Sequence, residues 1–437
     1  MEKNNPKVLN GWCMYDWANS VFSLTITTAV FPEYFLSATT AADGNSIVDF
    51  WGYPITNSVL YSYGVSFSFL IAAILSPIST SIADVAGRKK FFMSLFAYMG
   101  SAACALLYFF HSPADGGVAN VDWVIPTFVL ASLGYSGSIV YYNSFLPDIA
   151  TEDRFDGLSA KGFSLGYIGS VLLLIINIAM ILGADTLGIT SGEAARISFL
   201  TVGLWWFVFA TYSFSQLPSD QPVVLKGWKW LSKGFQELKD IGQKIGTRKL
   251  LKRFLISFFF YNMGVQTVMY LAPLFAKEVI HIESAELIAT ILIIQLVAIL
   301  GAYCFNLVSS RLGNTRALAY GIVIWLLICA SGYFVQKGIS FFCLAGTIGF
   351  VMGGIQSLSR ATYSKLLPEG VENTASFFSF YDVTEKISIV LGTFLFGFIR
   401  HITGDMRNTL LMLGLLFITG LIIILTIPSK KVYVDSQ

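Results

Sequence analysis

Charge is what this chain has least of. Only 12% of its 437 residues are Asp, Glu, Lys or Arg, against about 25% in a soluble domain, while 55% are hydrophobic. A water-covered globule is excluded. The net charge of +2 gives no strongly basic field, and no nucleic-acid partner is expected. Cysteine is scarce and scattered: Cys13, Cys104, Cys304, Cys329 and Cys343 fall in or beside apolar segments with no C-x-x-C pair. They read as small buried hydrophobes, not as a disulfide framework or metal site. Histidine is scarcer still. His111, His281 and His401 are all placed in or near outer loops, so the Gly134-Tyr135-Ser136-Gly137 run has no base to make it a protease nucleophile. H-E-x-x-H, P-loop and dinucleotide fingerprints are absent. The expectation is no enzyme, no cofactor and no metal. No N-x-S/T sequon occurs, which suits a prokaryotic source and a bacterial inner membrane. The first apolar stretch is too long for a cleavable leader and holds Asp16.

What the chain does have is apolar length. About twelve stretches reach spanning size: 12–36, 57–82, 91–110, 122–147, 160–183, 195–217, 251–276, 285–308, 316–336, 340–366, 375–400 and 408–427. Crossing a bilayer takes roughly 20 helical residues. The runs are continuous rather than alternating, so they are helices and not barrel strands. The predicted fold class is an all-α integral membrane protein with twelve transmembrane helices. With the N-terminus placed in the cytoplasm, 22 of the 28 Lys and Arg fall on the inner side. They include Lys3, Lys7, Arg88, Lys89, Lys90, Lys226, Lys365, Lys430 and Lys431. Five fall outside: Arg196, Lys277, Lys337, Arg400 and Arg407. Lys386 lies inside a span. The positive-inside rule then puts both termini in the cytoplasm.

The longest connector, 218–250, divides the chain into an N-terminal six-helix bundle (1–217) and a C-terminal one (251–437). Trp228, Leu231, Phe235, Leu238, Ile241 and Ile245 recur in it at three- and four-residue steps among lysines. This predicts a basic amphipathic helix at the inner leaflet. The halves echo each other: Tyr15-Asp16-Trp17-Ala18-Asn19 and Tyr261-Asn262-Met263-Gly264-Val265-Gln266 open their first spans. Their inner loops, 83–90 and 309–316, correspond as well. Such repeats build transporters with a substrate site near the midplane.

Polar residues inside spans are expensive and therefore informative. Asp16 and Asn19, three apart, share a helix face. Asp382 and Lys386 can pair four apart, and Arg360 and Glu385 are expected to complete one network with them. Asn143, Asn262, Gln266 and Gln356 lie in spans four, seven and ten and are expected to contact substrate. Asp16, Asp382 and Glu385 are the groups able to carry a coupling proton. Asp84, Gly87 and Arg88 form a turn in which the acid can meet a neighbouring helix N-terminus and act as a conformational latch. Gly162, Gly166 and Gly169 open span five with a surface for close helix approach.

The Asp84-x-x-Gly87-Arg88-Lys89 run resembles the inner-loop signature of the major facilitator superfamily, with Thr80 and Val85 departing from it. Three stretches are similar to its vacuole effluxer-like branch: Tyr15-Asp16-Trp17-Ala18-Asn19-Ser20, Leu146-Pro147-Asp148 with Gly166 to Ser170, and Gln356 to Arg360 with Phe377 to Lys386. The resemblance implies two six-helix bundles rocking about a central cavity, a monomer, and secondary transport of a small-molecule substrate across the lipid bilayer, with amino-acid efflux as one form. A small polar solute, amino acid or short peptide, moved by alternating access and coupled to protons, is the leading expectation. Two alternatives stay open: an exporter of amphipathic drugs or lipids, and a non-transporting membrane sensor or scaffold.

Overall fold

The computed structural model describes residues 3–41, 43–112, 119–223, 229–335, 338–368, 370–404 and 406–428. Lys226, Trp228, Lys337, Lys430 and Lys431 lie outside them. Helix α1 (Pro6–Val21) begins on Asn5, whose side chain accepts the Lys7 N–H at 3.0 Å, with Pro6 in the first turn. The first span is not one continuous helix as expected. It widens into a π-helix over Phe22–Ala29 and resumes as α2 (Phe31–Thr39). Val30 N–H bonds the Thr25 carbonyl five residues back at 2.9 Å, and Thr28 Oγ1 bonds the Ser23 carbonyl at 2.9 Å. Pro32 has no N–H to offer the preceding turn, so the wider ring supplies the partners.

A short hairpin follows, β1 (Ile47–Phe50) with antiparallel β2 (Tyr53–Thr56). It is a small addition to an otherwise helical architecture. Trp51 and Gly52 carry φ of 50° and 85°, the two positive values that a tight two-residue hairpin turn requires. Asp122 holds the tip by accepting the Trp51 N–H at 2.8 Å.

The long helices are α3 (Asn57–Ala86), α4 (Lys89–Leu106), α5 (Val121–Ile149), α6 (Phe155–Leu182), α7 (Ser191–Gln216), α9 (Lys249–Glu278), α10 (Ser284–Leu312), α11 (Asn314–Phe334), α12 (Ile339–Leu366), α13 (Thr374–Thr403) and α14 (Asn408–Leu425), with α8 (Lys229–Thr247) between α7 and α9. Ten helical segments among the described residues are long and apolar enough to cross a membrane. Helices α9 and α13, 30 residues each, are not among the ten. They carry Asn262, Gln266, Asp382, Glu385 and Lys386.

Large apolar side chains such as Ile74, Leu300, Leu327 and Leu415 are more than half exposed, as a lipid-facing surface demands. Cys304 and Cys343 are exposed on it, contrary to the buried expectation, whereas Cys13, Cys104 and Cys329 are buried. A lipid-facing thiol is in apolar surroundings without protein covering it.

Glycine sets the tightest contacts. A Cβ on Gly169 would stand 3.0 Å from Trp17, and Gly162 and Gly166 likewise lay α6 against α1.

Helix α8 does not lie free on a leaflet. Ile241 and Ile245 are buried, Gly234 sits over Ile82 of α3, and Gly242 sits over Phe380 of α13. Glu237 accepts a hydrogen bond from Asn373 at 2.6 Å. Ile241 and Ile245 are thus covered by protein while Phe235 stays 55% exposed, and the helix bridges the N-terminal set (α1–α7) and the C-terminal set (α9–α14).

Candidate functional site

The two sets meet around a central cavity of about 210 Å³. Nine predicted residues line it: Asp16, Asn19, Asn143, Asn262, Gln266, Gln356, Arg360, Glu385 and Lys386. Asp382 is not in the lining. A second chamber of about 170 Å³ continues from Ser23, Tyr167, Gln266, Tyr270, Gln295 and Gln356 toward Pro273, Phe341 and Leu344.

Arg360 does not join the network drawn for it with Asp382 and Glu385. It reaches across to the N-terminal set. Nη1 lies 3.2 Å from Asp16 Oδ2 and 3.3 Å from Asn143 Oδ1. Nη2 donates to Asp16 Oδ2 at 3.3 Å and the Ser159 carbonyl at 3.0 Å, and Nε donates to Ser159 Oγ at 2.8 Å. All five donors of the guanidinium fork are thereby matched. Its plane sits among Phe163, Trp12 and Tyr142, with ring centroids 4.2, 4.8 and 5.2 Å away. Tyr142 also donates to Asp16 Oδ2 at 2.7 Å.

The sequence placed Arg360 near Asp382 because spans ten and eleven bring the two to a similar depth on the cytoplasmic half. Packing pairs it with a carboxylate 344 positions away. Ser159 and Tyr142 were missed. Neither stands out in the sequence, because a serine and a tyrosine are ordinary in an apolar span.

On α13, Lys386 pairs with Asp382 one turn back, as the spacing predicts. Glu385 accepts from Gln266 Nε2 at 3.2 Å. Gln266 also donates to Asn262 Oδ1 at 3.4 Å, and Asn262 donates to Ser388 Oγ at 2.7 Å. Gln356 accepts from Tyr167 across the set boundary at 2.9 Å. Asn19 Nδ2 and Gln295 Oε1 are buried with no partner among the described residues, and both residues line the cavity. Among the described residues no three His, Cys, Asp or Glu gather to hold a metal ion.

At one end of the molecule, the end that carries Lys3, two matched sets of contacts join the N-terminal and C-terminal sets beside a cleft of about 960 Å³. Gly87 caps α3 with φ of 62°, a conformation glycine adopts without strain. The turn aims Asp84 at the start of α13, where Oδ2 accepts both the N–H and the hydroxyl of Ser376 at 2.7 Å. Lys89 pairs with Asp148 at 2.6 Å and bonds Thr374. Arg88 lies against the Phe91 ring, 6.0 Å from its centroid.

The corresponding loop of the C-terminal set, 309–316, mirrors this at the start of α6. Asp156 Oδ1 accepts from Asn314 at 2.8 Å, while Oδ2 accepts from Ser309 at 3.0 Å and Lys365 at 2.8 Å. Asp156 and Lys365 were not singled out from the sequence. The signal lay in the loop correspondence, since a latch at 83–90 calls for a partner at 309–316.

Known proteins share this design. Residues 4–437 match the family described as "Vacuole effluxer Atg22 like". An uncharacterized MFS-type transporter, YxiO, of Bacillus subtilis (strain 168) is 32% identical over 98% of this chain and 97% of its own. Autophagy-related protein 22 of Saccharomyces cerevisiae (strain ATCC 204508 / S288c) is 26% identical over 89% of this chain and 74% of its own. Among solved structures, a bacterial ferroportin homologue in the outward-facing state covers 98% of this chain and 100% of its own, with a TM-score of 0.67 at 12% identity. The proton:xylose symporter XylE covers 98% and 95% with a TM-score of 0.68 at 13% identity. The chain therefore belongs to the vacuole effluxer Atg22-like family and is a multi-pass membrane transporter of the major facilitator fold, not an enzyme.

Proposed function

We propose that the protein is a secondary active transporter of a small polar solute, an amino acid or short peptide, in a bacterial inner membrane. It works as a monomer by alternating access with proton coupling. The observation that carries the reading is Arg360 of one set seated against Asp16 of the other, beside a cavity whose lining keeps unpartnered polar atoms on Asn19 and Gln295. A buried cross-set pair that must separate for the cavity to change sides is the kind of two-state contact that alternating access needs. On this reading α9 and α13 also span the membrane. The halves are then 1–217 and 251–437 joined by 218–250, and both termini lie in the cytoplasm with the two latches. Asp16 and Glu385, both in the lining, are the coupling carboxylates, and Asp382 is held by Lys386.

The second chamber supports a second reading, an exporter of amphipathic molecules, because Met269, Ile291, Ile348 and Met352 line it. The test is counterflow in proteoliposomes with amino acids, dipeptides and amphipathic dyes, with and without an imposed proton gradient. Exchange of amino acids or dipeptides that is lost in Asp16→Asn supports the first reading. Exchange of dyes alone moves the assignment to the second. No exchange of any of them defeats both.

A further inference from the structure

The lining carries two charges of each sign, Asp16 and Glu385 against Arg360 and Lys386, but they do not pair off within it: Asp16 is matched by Arg360 at 3.2 Å, whereas Lys386 is matched by Asp382 behind the lining. Glu385 lines the same cavity and makes no ion pair among the described residues. Its Oε1 accepts one hydrogen bond, from the neutral Gln266, and Oε2 accepts none among the described residues. The asparagines, glutamines, serines and tyrosines of the lining serve a solute of either sign, because each can donate or accept. Of the four lining charges, Glu385 is the one left without an ion-pair partner among the described residues, and so the one free to select the sign of a solute.

An unmatched carboxylate within a membrane-spanning helix is costly and marks a pathway or a missing partner. Aromatic rings share the cavity with it: Phe69, Tyr135 and Tyr270 are in the lining, and Phe69 and Tyr270 meet edge to face at 5.9 Å. A cavity that offers a carboxylate together with aromatic rings suits an organic ammonium.

We propose that the transported solute carries net positive charge, an organic ammonium whose N–H donors end on Glu385 between Tyr135 and Tyr270. This rests on the transporter reading and names the class of its substrate. A neutral zwitterion fits less well. Its own carboxylate would face Glu385 while both cavity cations, Arg360 and Lys386, are already engaged.

The experiment titrates purified full-length protein with L-lysine, Nε-acetyl-lysine and norleucine, three solutes of similar length that differ at the distal amine, and follows their exchange in proteoliposomes. Lysine should bind at least tenfold more tightly than either neutral analogue. Glu385→Gln should bring the three within about threefold of one another. Glu385→Asp, which keeps the charge, should keep the preference, and melting curves of both variants establish that they are folded. Equal binding of the three by the unaltered protein, no binding of lysine, or a tenfold preference surviving in Glu385→Gln overturns the proposal. Norleucine exchange without a lysine preference overturns it and leaves the transporter reading standing. Failure of every solute to exchange, amino acids, dipeptides and dyes included, strikes that reading itself.

Discussion

Arg360 shows what one residue in the right box can do. A guanidinium at 2% exposure would be prohibitive alone, yet five donors find acceptors and three rings cover its faces. A lysine could offer only a point charge there. Room for this box comes from an absence. A Cβ on Gly162 would stand 2.6 Å from Asp16 Oδ2 and 2.9 Å from the Tyr142 hydroxyl, both parts of the network and neither a flexible tip. Gly162→Ala should therefore destabilise the protein by about 1–3 kcal/mol through overpacking and weaken solute exchange. Gly346→Ala, on α12 with nothing within 4 Å of its Cβ, should be neutral or slightly stabilising. Paired melting curves in detergent decide this, and equal shifts for the two would remove Gly162 from the account. The sequence allowed the glycine surface to be read as a packing face, because small residues at helical spacing have one physical use. It could not tell what the face was packed against.

At the scale of elements, local pattern served well where the chain's own neighbours decide the structure and poorly where distant packing does. The Asp382–Lys386 pair follows from a four-residue step on one helix. The turn at Gly87 follows from a glycine between an acid and a basic run. The partner of Arg360 did not follow, since nothing near it in the chain names α1. Nor did the hairpin at 47–56, whose turn uses Trp51 at positive φ, a residue that turn chemistry disfavours. Helix α8 is the instructive middle case. Its amphipathic period predicted an apolar face correctly, but period says nothing of whether lipid or protein covers that face. Protein covers Ile241 and Ile245 and leaves Phe235 exposed, and the neighbours include both α3 and α13, so α8 braces the two sets against each other. Asn373→Ala removes the 2.6 Å bond to Glu237 and should cost about 1 kcal/mol. Hydrogen–deuterium exchange should then show faster exchange across 229–247, with α4 and α7 unchanged. Unaltered protection of α8 would mean that Ile241 and Ile245 hold it without help.

For the whole molecule, the two latches are equivalent by construction: a carboxylate of the N-terminal set meets α13 at its start, and one at the start of α6 meets the 309–316 loop of the C-terminal set. Each is a small group of hydrogen bonds to charge, worth about 1.5–3 kcal/mol apiece while formed. Moving a two-state equilibrium from 99:1 to even requires about 2.7 kcal/mol, half of what full inversion needs. At about 1.5 kcal/mol for each latch, cutting one should leave this end mostly closed, and cutting both should not. Asp84→Asn and Asp156→Asn keep the side-chain shapes while removing the charges. A cysteine placed at Thr151, beside the seam, would report opening through its rate of alkylation. Each single variant should raise that rate about tenfold, and the pair should raise it by much more than either, about fiftyfold, to the level of an even population. A full effect from Asp84→Asn alone would mean that the mirrored contact at Asp156 carries no share of the closure, and that the two halves, though alike in sequence pattern, are held shut by one of them.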